Sequence, residues 1–327
     1  RYRSSMIKRK LISVIVPAFN EEDCLEELAH RLALVFDKNY NYDFEAIIIE
    51  NGSQDGTWDI LKEVSKKDAR FKIVQLARNF RMDGGITAGL DFAKGDAAVI
   101  MTADLQDPPE LISNFIAEWE KGYENIYMIV TKRTDASMLR RFNSKLFYAL
   151  AGKLTSNQFP KNASDFRLVD RKVYETVRSL EERNRFVRGL FSWVGFRSKG
   201  IEHERPERFG GTSKAYTKDV LDLALKGIFA HSYVPLRIIT VFGFLVSGAS
   251  ILSTVAWGTI WIKNGVPFAG FGSLVSIQLL CFGALFLTLG VVSEYIGLIY
   301  EEVKQRPNFV IKTTLGFDDK NLKDLNE

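Results

Sequence analysis

Two long stretches without a charged side chain constrain the fold of this chain more than any other feature. The first runs from Ile238 to Ile262, and after the single Lys263 the second runs from Asn264 to Ser293. A helix needs roughly 20 apolar residues to cross a bilayer, and soluble core helices rarely exclude charge for so long. We therefore predict two transmembrane helices, near Leu236–Ile262 and Leu274–Ile296. The alternative is a pair of helices buried in a large soluble core.

Basic residues flank the two predicted spans and predict their orientation. Before the first span lie Lys214, Lys218, Lys226 and Arg237, and after the second lie Lys304, Arg306 and Lys312. The connection between the spans contributes only Lys263. Because Lys/Arg-rich flanks stay in the cytoplasm, we expect a multi-pass protein of the inner (plasma) membrane with both termini cytoplasmic. The net charge of +4 is too small to indicate a nucleic-acid partner.

Ahead of the spans, strand-like and helix-like segments alternate. Short, β-branched apolar runs bounded by turn residues predict five strands. These runs are Ile12–Pro17, Ala46–Ile49, Ile73–Leu76, Ala97–Thr102 and Ile126–Val130. Helices are predicted between them, after Asn20, over Thr57–Lys67 and near Gly85–Ala93. This alternation is typical of an α/β fold in which helices cover a mostly parallel sheet.

The pattern is less regular between the predicted sheet and the first span. Helices are predicted over Arg140–Leu154 and Asp170–Leu180. Tyr216–His231 reads as an amphipathic helix that leads into the first span, and we expect it to lie along the membrane interface. A packing helix of the soluble domain is the alternative for this segment.

Polar clusters follow the predicted strands, where ligands of parallel α/β sheets bind. In the cluster after the fourth strand, Asp104 and Gln106 would point the same way in an extended chain. Two such oxygens suit Mg²⁺ or Mn²⁺, which completes its shell with water and substrate phosphates. The alternative is a turn or a helix cap, which is common for Asp before Pro.

Three segments resemble motifs of the family 2 glycosyltransferases. They are VIVPAFNE at Val14–Glu21, ENGSQDGT at Glu50–Thr57 and DLQDPPE at Asp104–Glu110. The resemblance continues through DFRL at Asp165–Leu168, RFVRG at Arg185–Gly189, Ser213-Lys214 and the paired spans. It covers nearly the whole chain. Within the family, the chain is similar to the polyprenyl-phosphate branch, which includes dolichol-phosphate mannose synthases, and above all to bacterial bactoprenol glucosyltransferases.

This resemblance implies a GT-A (Rossmann-like) catalytic domain over residues 11–215. A tail over residues 1–10 precedes it, and we expect the first five residues, ahead of Met6, to be left over from expression of the protein. After the domain we expect a juxtamembrane helix over 216–235, a two-helix transmembrane hairpin over 236–299 and a cytoplasmic tail over 300–327.

The resemblance also implies a set of site residues. Nucleotide-sugar contacts are expected from Pro17, Phe19, Asn20, Glu21, Asn51, Asp55, Asp83, Thr102 and Ala103. Asp104 and Gln106 become ligands of Mg²⁺ or Mn²⁺. Lipid-phosphate contacts are expected from Arg133, Arg140, Arg141, Arg208, Ser213 and Lys214. Guanidinium groups suit that role because they bind phosphate oxygens in pairs, although any one of these arginines alone could be a solvated surface charge.

The reaction implied is one inverting displacement, which moves a hexose from a nucleotide sugar, with UDP-glucose favoured, onto undecaprenyl or another polyprenyl phosphate. Asp165 matches the position of the catalytic base. A phosphate monoester has a second pKa of about 6, so the nucleophile is already largely dianionic at neutral pH. Asp165 could then orient an arginine or the acceptor instead.

Three positions depart from the family pattern. Thr102 and Glu50 each stand where an aspartate is common, and Ala215 stands where an aromatic residue is common after Ser213-Lys214. A catalytically impaired nucleotide-sugar sensor or scaffold is therefore an alternative function. A processive polysaccharide synthase is a weaker one, because the sequence contains no Gln-x-x-Arg-Trp segment and two spans form no obvious channel.

Two features point to self-association. Small residues give the first span a face suited to helix packing, and we expect a homo-oligomer. They are Gly243, Ser247, Gly248 and Ala249. The strand-like Phe309-Val310-Ile311 would in that case add to the sheet edge of a neighbouring copy.

Overall fold

The computed structural model describes residues 9–131, 162–183, 185–204, 234–264 and 270–317. In chain order the strands are β1 (Leu11–Ala18), β2 (Asp43–Glu50), β3 (Phe71–Leu76), β4 (Ala97–Ile100), β5 (Asn125–Val130), β6 (Ala163–Asp170), β7 (Ser198–His203) and β8 (Ile311–Leu315). The helices are α1 (Glu22–Lys38), α2 (Thr57–Lys67), α3 (Arg81–Phe92), α4 (Ile112–Glu120), α5 (Arg171–Ser179), α6 (Val187–Trp193), α7 (Val234–Asn264) and α8 (Phe271–Lys304). The helices predicted over Arg140–Leu154 and Tyr216–His231 lie outside the described residues.

One eight-stranded sheet runs in the order β7-β5-β6-β4-β1-β2-β3-β8. Strands β1 to β4 are parallel, and β6 is inserted antiparallel between β4 and β5. Ile100 at the end of β4 pairs with Arg167 near the start of β6. The first residues of β6, including Asp165, therefore lie at the same edge of the sheet as the carboxyl ends of the parallel strands.

The alternation of side chains along each strand builds two apolar layers. On β1, Val14 and Val16 join the core under α1 and α4, whereas Ile15 joins the core under α3, α5 and α6. Both layers are closed to solvent, since all three side chains have no exposed surface. The mostly parallel α/β architecture predicted from the sequence is confirmed.

Helix α3 lies unusually close to the sheet at Gly89. A β-carbon at this position would overlap Cγ2 of Ile15, a fully buried side chain of β1. Glycine therefore sets the distance between the sheet and the helix whose first turn carries Asp83.

We expect Gly89→Ala to lower the stability of the protein by about 1–3 kcal/mol, because an extra methyl group in a filled core forces neighbours to shift. Gly283→Ala in α8 is the matched control, since its added β-carbon meets no atom of the described residues within 4 Å. Thermal unfolding of both variants in detergent measures the difference. Equal midpoints would contradict the close packing of α3.

Helices α7 and α8 match the two predicted spans in position. Among the described residues, the segment Leu280–Lys304 is long and apolar enough to cross a membrane, with a mean hydropathy of 1.8 and no buried part in its most apolar stretch. This supports the second predicted span by length and composition. That α7 also crosses the membrane stays a prediction.

Strand β8 follows α8 after a short connector, residues 305–310, and pairs antiparallel with β3 of the same chain, with Ile73 opposite Leu315 and Gln75 opposite Thr313. The sequence suggested pairing with a neighbouring copy instead. The intramolecular pairing is favoured because the connector packs on its own domain: Phe309 and Ile311 contact the core under α3. The sheet and the apolar helix are therefore joined by a connector that packs on the sheet domain.

Candidate active site

The loops after β1 and β2 hold each other at the carboxyl edge of the sheet. Asn20, in the left-handed region at φ 52°, donates its backbone N–H to Ser53 Oγ at 3.0 Å. Its Oδ1 accepts the backbone N–H of Gln54 at 2.8 Å, and Glu21 N donates to Thr57 Oγ1 at 3.0 Å. These reciprocal bonds bring the predicted nucleotide residues Asn20 and Glu21 beside those of the second motif.

Asn51 fixes the start of α3. Its side-chain Oδ1 accepts the N–H of Phe80 at 2.9 Å, and its Nδ2 donates to the carbonyl of Arg81 at 2.8 Å. Asn51 itself is buried. Both ends of its amide thus hold the turn that leads to Asp83, and the loops after β1, β2 and β3 become one unit.

Two carboxylates shape the second motif. Glu50 is fully buried and accepts the N–H of Ser53, which holds the turn at Gly52. Asp55 accepts N–H groups from Thr57 at 3.1 Å and Glu22 at 3.4 Å. Burial alone would raise the pKa of Asp55, but these hydrogen bonds from Thr57 and Glu22 hold it below its usual value. Asp55 is therefore a carboxylate at neutral pH.

After β4 the chain turns sharply instead of staying extended. Leu105 has φ 58°, and Gln106 N donates to Asp104 Oδ1 at 3.3 Å. Asp107 Oδ2 accepts the N–H of Thr102 at 3.0 Å. The prediction that residues 104–106 are extended is therefore wrong: Asp104 and Gln106 are brought together by a turn.

Thr102 lies between two acidic side chains in this turn. Its hydroxyl oxygen is 2.7 Å from Asp104 Oδ1 and 2.8 Å from Asp107 Oδ2. Asp104 and Asp107 are both almost fully buried, and Ala103 is buried between the strand and the turn. The hydroxyl group therefore links the two carboxylates and helps to hold the turn together.

The side chains of this turn fit a hard divalent cation that is completed by substrate oxygens. Asp104 and Gln106 supply oxygen ligands only, as Mg²⁺ and Mn²⁺ prefer. Within the described residues, no group of three or more His, Cys, Asp and Glu side chains forms a ready-made metal cage. A cation here would therefore depend on water and a bound diphosphate for most of its ligands.

Asp165 forms a two-pronged ion pair with Arg188. Nε of Arg188 donates to Asp165 Oδ1 at 2.6 Å, and Nη2 donates to Asp165 Oδ2. Arg167, buried beside them, donates to the carbonyls of Ser164 and Asp165 and lies 4.9 Å from the ring centroid of Phe191. The start of β6 and helix α6 are thus joined through Asp165.

Comparison with known proteins shows which family the chain belongs to. The model of "Glycosyl transferase family 2" matches residues 13–178. The uncharacterized glycosyltransferase YkcC of Bacillus subtilis is 40% identical over 95% of this chain and 96% of its own length. The chain belongs to glycosyl transferase family 2. It is a glycosyltransferase with a GT-A-like α/β fold.

Other relatives of this family 2 glycosyltransferase carry more specific names. The SfII prophage-derived bactoprenol glucosyl transferase of Shigella flexneri is 37% identical over 92% of this chain and 97% of its own length. Among solved structures, glucosyl-3-phosphoglycerate synthase from Mycobacterium tuberculosis, in complex with Mn²⁺, UDP-glucose and phosphoglyceric acid, is 16% identical. It has a TM-score of 0.47 and covers 67% of this chain and 78% of that chain.

The structure describes the predicted nucleotide and metal residues of the glycosyltransferase but not the predicted lipid-phosphate residues. Those in the first three loops and in the turn after β4 lie at the carboxyl edge of the sheet, with Asp165 at the start of β6 beside them. The predicted lipid-phosphate residues Arg133, Arg140, Arg141, Arg208, Ser213 and Lys214 lie outside the described residues, as does Ala215.

Sequence reasoning assigned no role to Arg188, although its segment was recognised as part of the family pattern. The partner of Asp165 lies 23 positions further along the chain. The RFVRG motif contains Arg188 and follows the DFRL motif, which contains Asp165, and this order of a basic and an acidic motif is the signal that could have suggested the pair. Ser53 and Thr57, which hold the loop after β1, were also missed as organisers of the site.

Asp83 is a carboxyl group with an unusual environment. Burial raises its pKa from 3.8 to about 6, and nearby Asp165 adds to this, while the N–H of Val187 at 2.9 Å and the guanidinium groups of Arg188 and Arg185 oppose it. A carboxyl whose pKa is raised by folding contributes stability below its unfolded pKa, and this contribution is lost as the pH rises through about 6.

We therefore expect Asp83→Asn to stabilise the folded protein by about 2 kcal/mol at pH 7.5, and to do so hardly at all at pH 4. Thermal unfolding at the two pH values measures this difference. Asp59→Asn is the control, because the Asp59 side chain on α2 is exposed. A gain that is equal at both pH values would contradict the assignment to Asp83 ionisation.

Proposed function

We propose that this glycosyltransferase transfers glucose from UDP-glucose to undecaprenyl phosphate or a similar polyprenyl phosphate at the cytoplasmic face of the membrane. The products are the polyprenyl-phosphate sugar and UDP. The reaction is metal-dependent and inverts the configuration at the anomeric carbon. The glucose and the lipid acceptor follow the name of the bactoprenol glucosyl transferases, whose similarity over 92% of this chain has to include most of α7 and α8. The cytoplasmic orientation follows the basic residues that flank the two predicted spans.

The proposal that the acceptor is a lipid rests on the connection between the sheet and the apolar helix. Helix α8 contains the membrane-length segment Leu280–Lys304 and leads through a short connector into β8, which pairs with β3. A soluble acceptor would give no reason to join a sugar-nucleotide site to such a helix. An acceptor with its tail in the bilayer and its phosphate at the interface does give one.

Asp104 and Gln106 are the residues that would hold a Mg²⁺ or Mn²⁺ ion. When bound, the ion would neutralise the diphosphate that leaves with uridine. The turn at Leu105 sets the positions of both side chains before substrate arrives, so little reorganisation is needed during the reaction. The loops that contain Asn20, Asn51 and Asp55 form the wall that receives the nucleotide.

The chemical step needs no proton transfer. An oxygen of the dianionic lipid phosphate attacks the anomeric carbon, the bond from that carbon to the UDP oxygen breaks, and the electron pair leaves with UDP. Both carboxylate oxygens of Asp165 are engaged by Arg188. Asp165 therefore positions Arg188 beside the reacting groups, and catalysis rests on orientation and charge.

The remaining parts of the proposal come from the sequence. Arg133, Arg140, Arg141, Arg208, Ser213 and Lys214 would bind the lipid phosphate. Helices α7 and α8 would form a transmembrane hairpin with both termini in the cytoplasm. Added β-carbons at Gly243 and Gly248 of α7 meet no atom of the described residues within 4 Å, which leaves space for a second copy against this face.

The decisive experiment is transfer of labelled sugar by the full chain in detergent. We expect lipid-linked glucose from UDP-glucose and undecaprenyl phosphate with Mg²⁺ or Mn²⁺, with β configuration, and no product with EDTA. Undecaprenol, which lacks the phosphate, is the control acceptor. Absence of a lipid product with any nucleotide sugar, even after Ala215→Phe, would overturn the proposal and favour a sensor or scaffold.

A further inference from the structure

A cleft of about 740 Å³ lies between α3, the end of α5, the segment that follows it and the connector after α8. Asp91 on α3 and three arginines, Arg178, Arg183 and Arg185, line it. Asp91 is eight residues beyond Asp83 on the same helix, about 12 Å at the helical rise. Thr87 also lines the cleft, and its hydroxyl donates to the carbonyl of Asp83 at 2.7 Å, so the cleft starts one turn from Asp83 and extends away from the carboxyl edge of the sheet.

Arg185 is held rigidly at this cleft. Its Nη2 donates to the carbonyls of Val177 and Leu180, the latter at 3.1 Å, where α5 ends. Its Nε is buried and has no hydrogen-bond partner among the described residues. A buried donor left without a partner costs about 1–3 kcal/mol, and a small movement of the side chain toward the cleft would let an outside acceptor remove this cost.

Other contacts fix the walls around Arg185. The backbone N–H of Arg183 donates to Glu302 Oε1 at 2.8 Å, and Asn308 Nδ2 donates to the carbonyl of Glu182 at 3.4 Å. The segment with the arginines is thus tied to both the end of α8 and the connector. The three guanidinium groups remain in one cleft without a salt bridge between any of them and a carboxylate in the described part of the chain.

We propose that this cleft is a second ligand site, which binds a phosphate group. Guanidinium groups form paired, charge-assisted hydrogen bonds with phosphate oxygens, and a phosphate has enough oxygens to engage several of them at once. Asp91 and Glu181 also line the cleft, and Glu182 acts on the charge of Arg185, so an anion would be held by paired hydrogen bonds from the guanidinium groups and not by net charge. The cleft is larger than a phosphate ion, which suits a phosphate carried on a larger molecule.

The phosphate could come from a soluble molecule or from a lipid headgroup. The uncharged run of α8 ends before Glu294, and the helix continues to Lys304, about 16 Å further at 1.5 Å per residue. This distance puts the cleft beyond the usual depth of headgroups if α8 stands upright in the bilayer. A soluble phosphate compound is therefore favoured, and the lipid source is distinguished by experiment.

The test measures how inorganic phosphate raises the unfolding midpoint of the full chain in detergent, at constant ionic strength set with chloride. We expect the double variant Arg178→Gln, Arg183→Gln to weaken the apparent affinity for phosphate at least about tenfold. The control is Lys66→Gln, Lys67→Gln on α2, which removes two exposed charges elsewhere and should leave the affinity unchanged.

The variant Asp91→Asn separates a binding effect from damage to the fold, because a damaged fold would weaken phosphate binding and this variant should strengthen it. Removing the opposing charge should strengthen phosphate binding about threefold. The same variants in nanodiscs of phosphatidylcholine, with and without phosphatidylglycerol, examine the lipid source. Stabilisation that needs the anionic lipid and is lost in the double arginine variant would keep the site and assign its phosphate to a headgroup.

Two results would overturn the second site. One is phosphate stabilisation of equal size in the double arginine variant and the lysine control. The other is the absence of stabilisation by inorganic phosphate and by anionic lipid alike. Neither depends on sugar transfer, so failure of the proposed activity and failure of this site are distinguishable.

Discussion

Asp104→Ala should lower sugar transfer about a thousandfold while the protein stays folded. The proposed metal stabilises charge on the leaving diphosphate by several kcal/mol, and Asp104 is the charged ligand that the turn after β4 offers it. The fold should survive because Thr102 keeps its second contact, 2.8 Å from Asp107 Oδ2, and Asp107 still accepts the N–H of Thr102.

The matched control for this variant lies in the same motif. Glu110 is exposed and forms a two-pronged pair with Arg31 of α1, at 2.8 and 2.6 Å. Glu110→Ala removes a carboxylate six residues away and should cost transfer less than about threefold, since exposed ion pairs contribute little. Rates are measured over a Mg²⁺ titration with labelled UDP-glucose. A loss below tenfold in Asp104→Ala, or the same loss in both variants, would exclude Asp104 as the metal ligand.

The elements that sequence predicted well are those set by local periodicity. The helix predicted over Thr57–Lys67 has the bounds of α2, and Asp170–Leu180 differs from α5 by one residue at each end. Apolar residues at helical spacing and β-branched runs bounded by turns leave few alternatives within a short window. The parallel order of β1 to β4 follows from their alternation with helices.

The features that the sequence did not predict depend on contacts between residues far apart in the chain. Strand β6 is inserted antiparallel beside β4, and β8 joins β3 from the far end of the chain. No local pattern specifies these pairings. The turn at Leu105 was given only as the alternative to an extended chain, because a positive φ at a leucine is unusual and is imposed here by the surrounding hydrogen bonds.

The candidate site divides in the same way. Motif order located Asn20, Asn51, Asp104 and Asp165, since parallel strands bring their carboxyl ends to one edge. The roles of these side chains were harder to predict from the sequence than their positions. The nucleotide contact expected of Asn51 stays a prediction, and the structure adds that both ends of its amide bind backbone groups at the start of α3. That assignment needed the coordinates of residues 30 positions away.

The Asp165–Arg188 pair leads to the second large effect. If Asp165 acts by positioning Arg188, then Asp165→Asn and Arg188→Ala should each lower kcat about a hundredfold, and the double variant should be no worse than either. Residues that act as one unit give such non-additive losses, because the first substitution already removes the function of the second. Arg188→Lys keeps the charge but not the paired geometry, and should lie between wild type and Arg188→Ala.

A catalytic base would behave differently in the same experiment. Asp165→Asn would then lose far more activity than Arg188→Ala, and the acidic limb of the pH–rate profile would disappear with the carboxylate. In the positioning mechanism that limb belongs to the lipid phosphate, whose second pKa is about 6, and it should persist in Asp165→Asn. The limb near pH 6 therefore separates the two roles even if both substitutions are equally damaging. Its loss in Asp165→Asn alone would restore Asp165 as the base and leave Arg188 as the group that holds it.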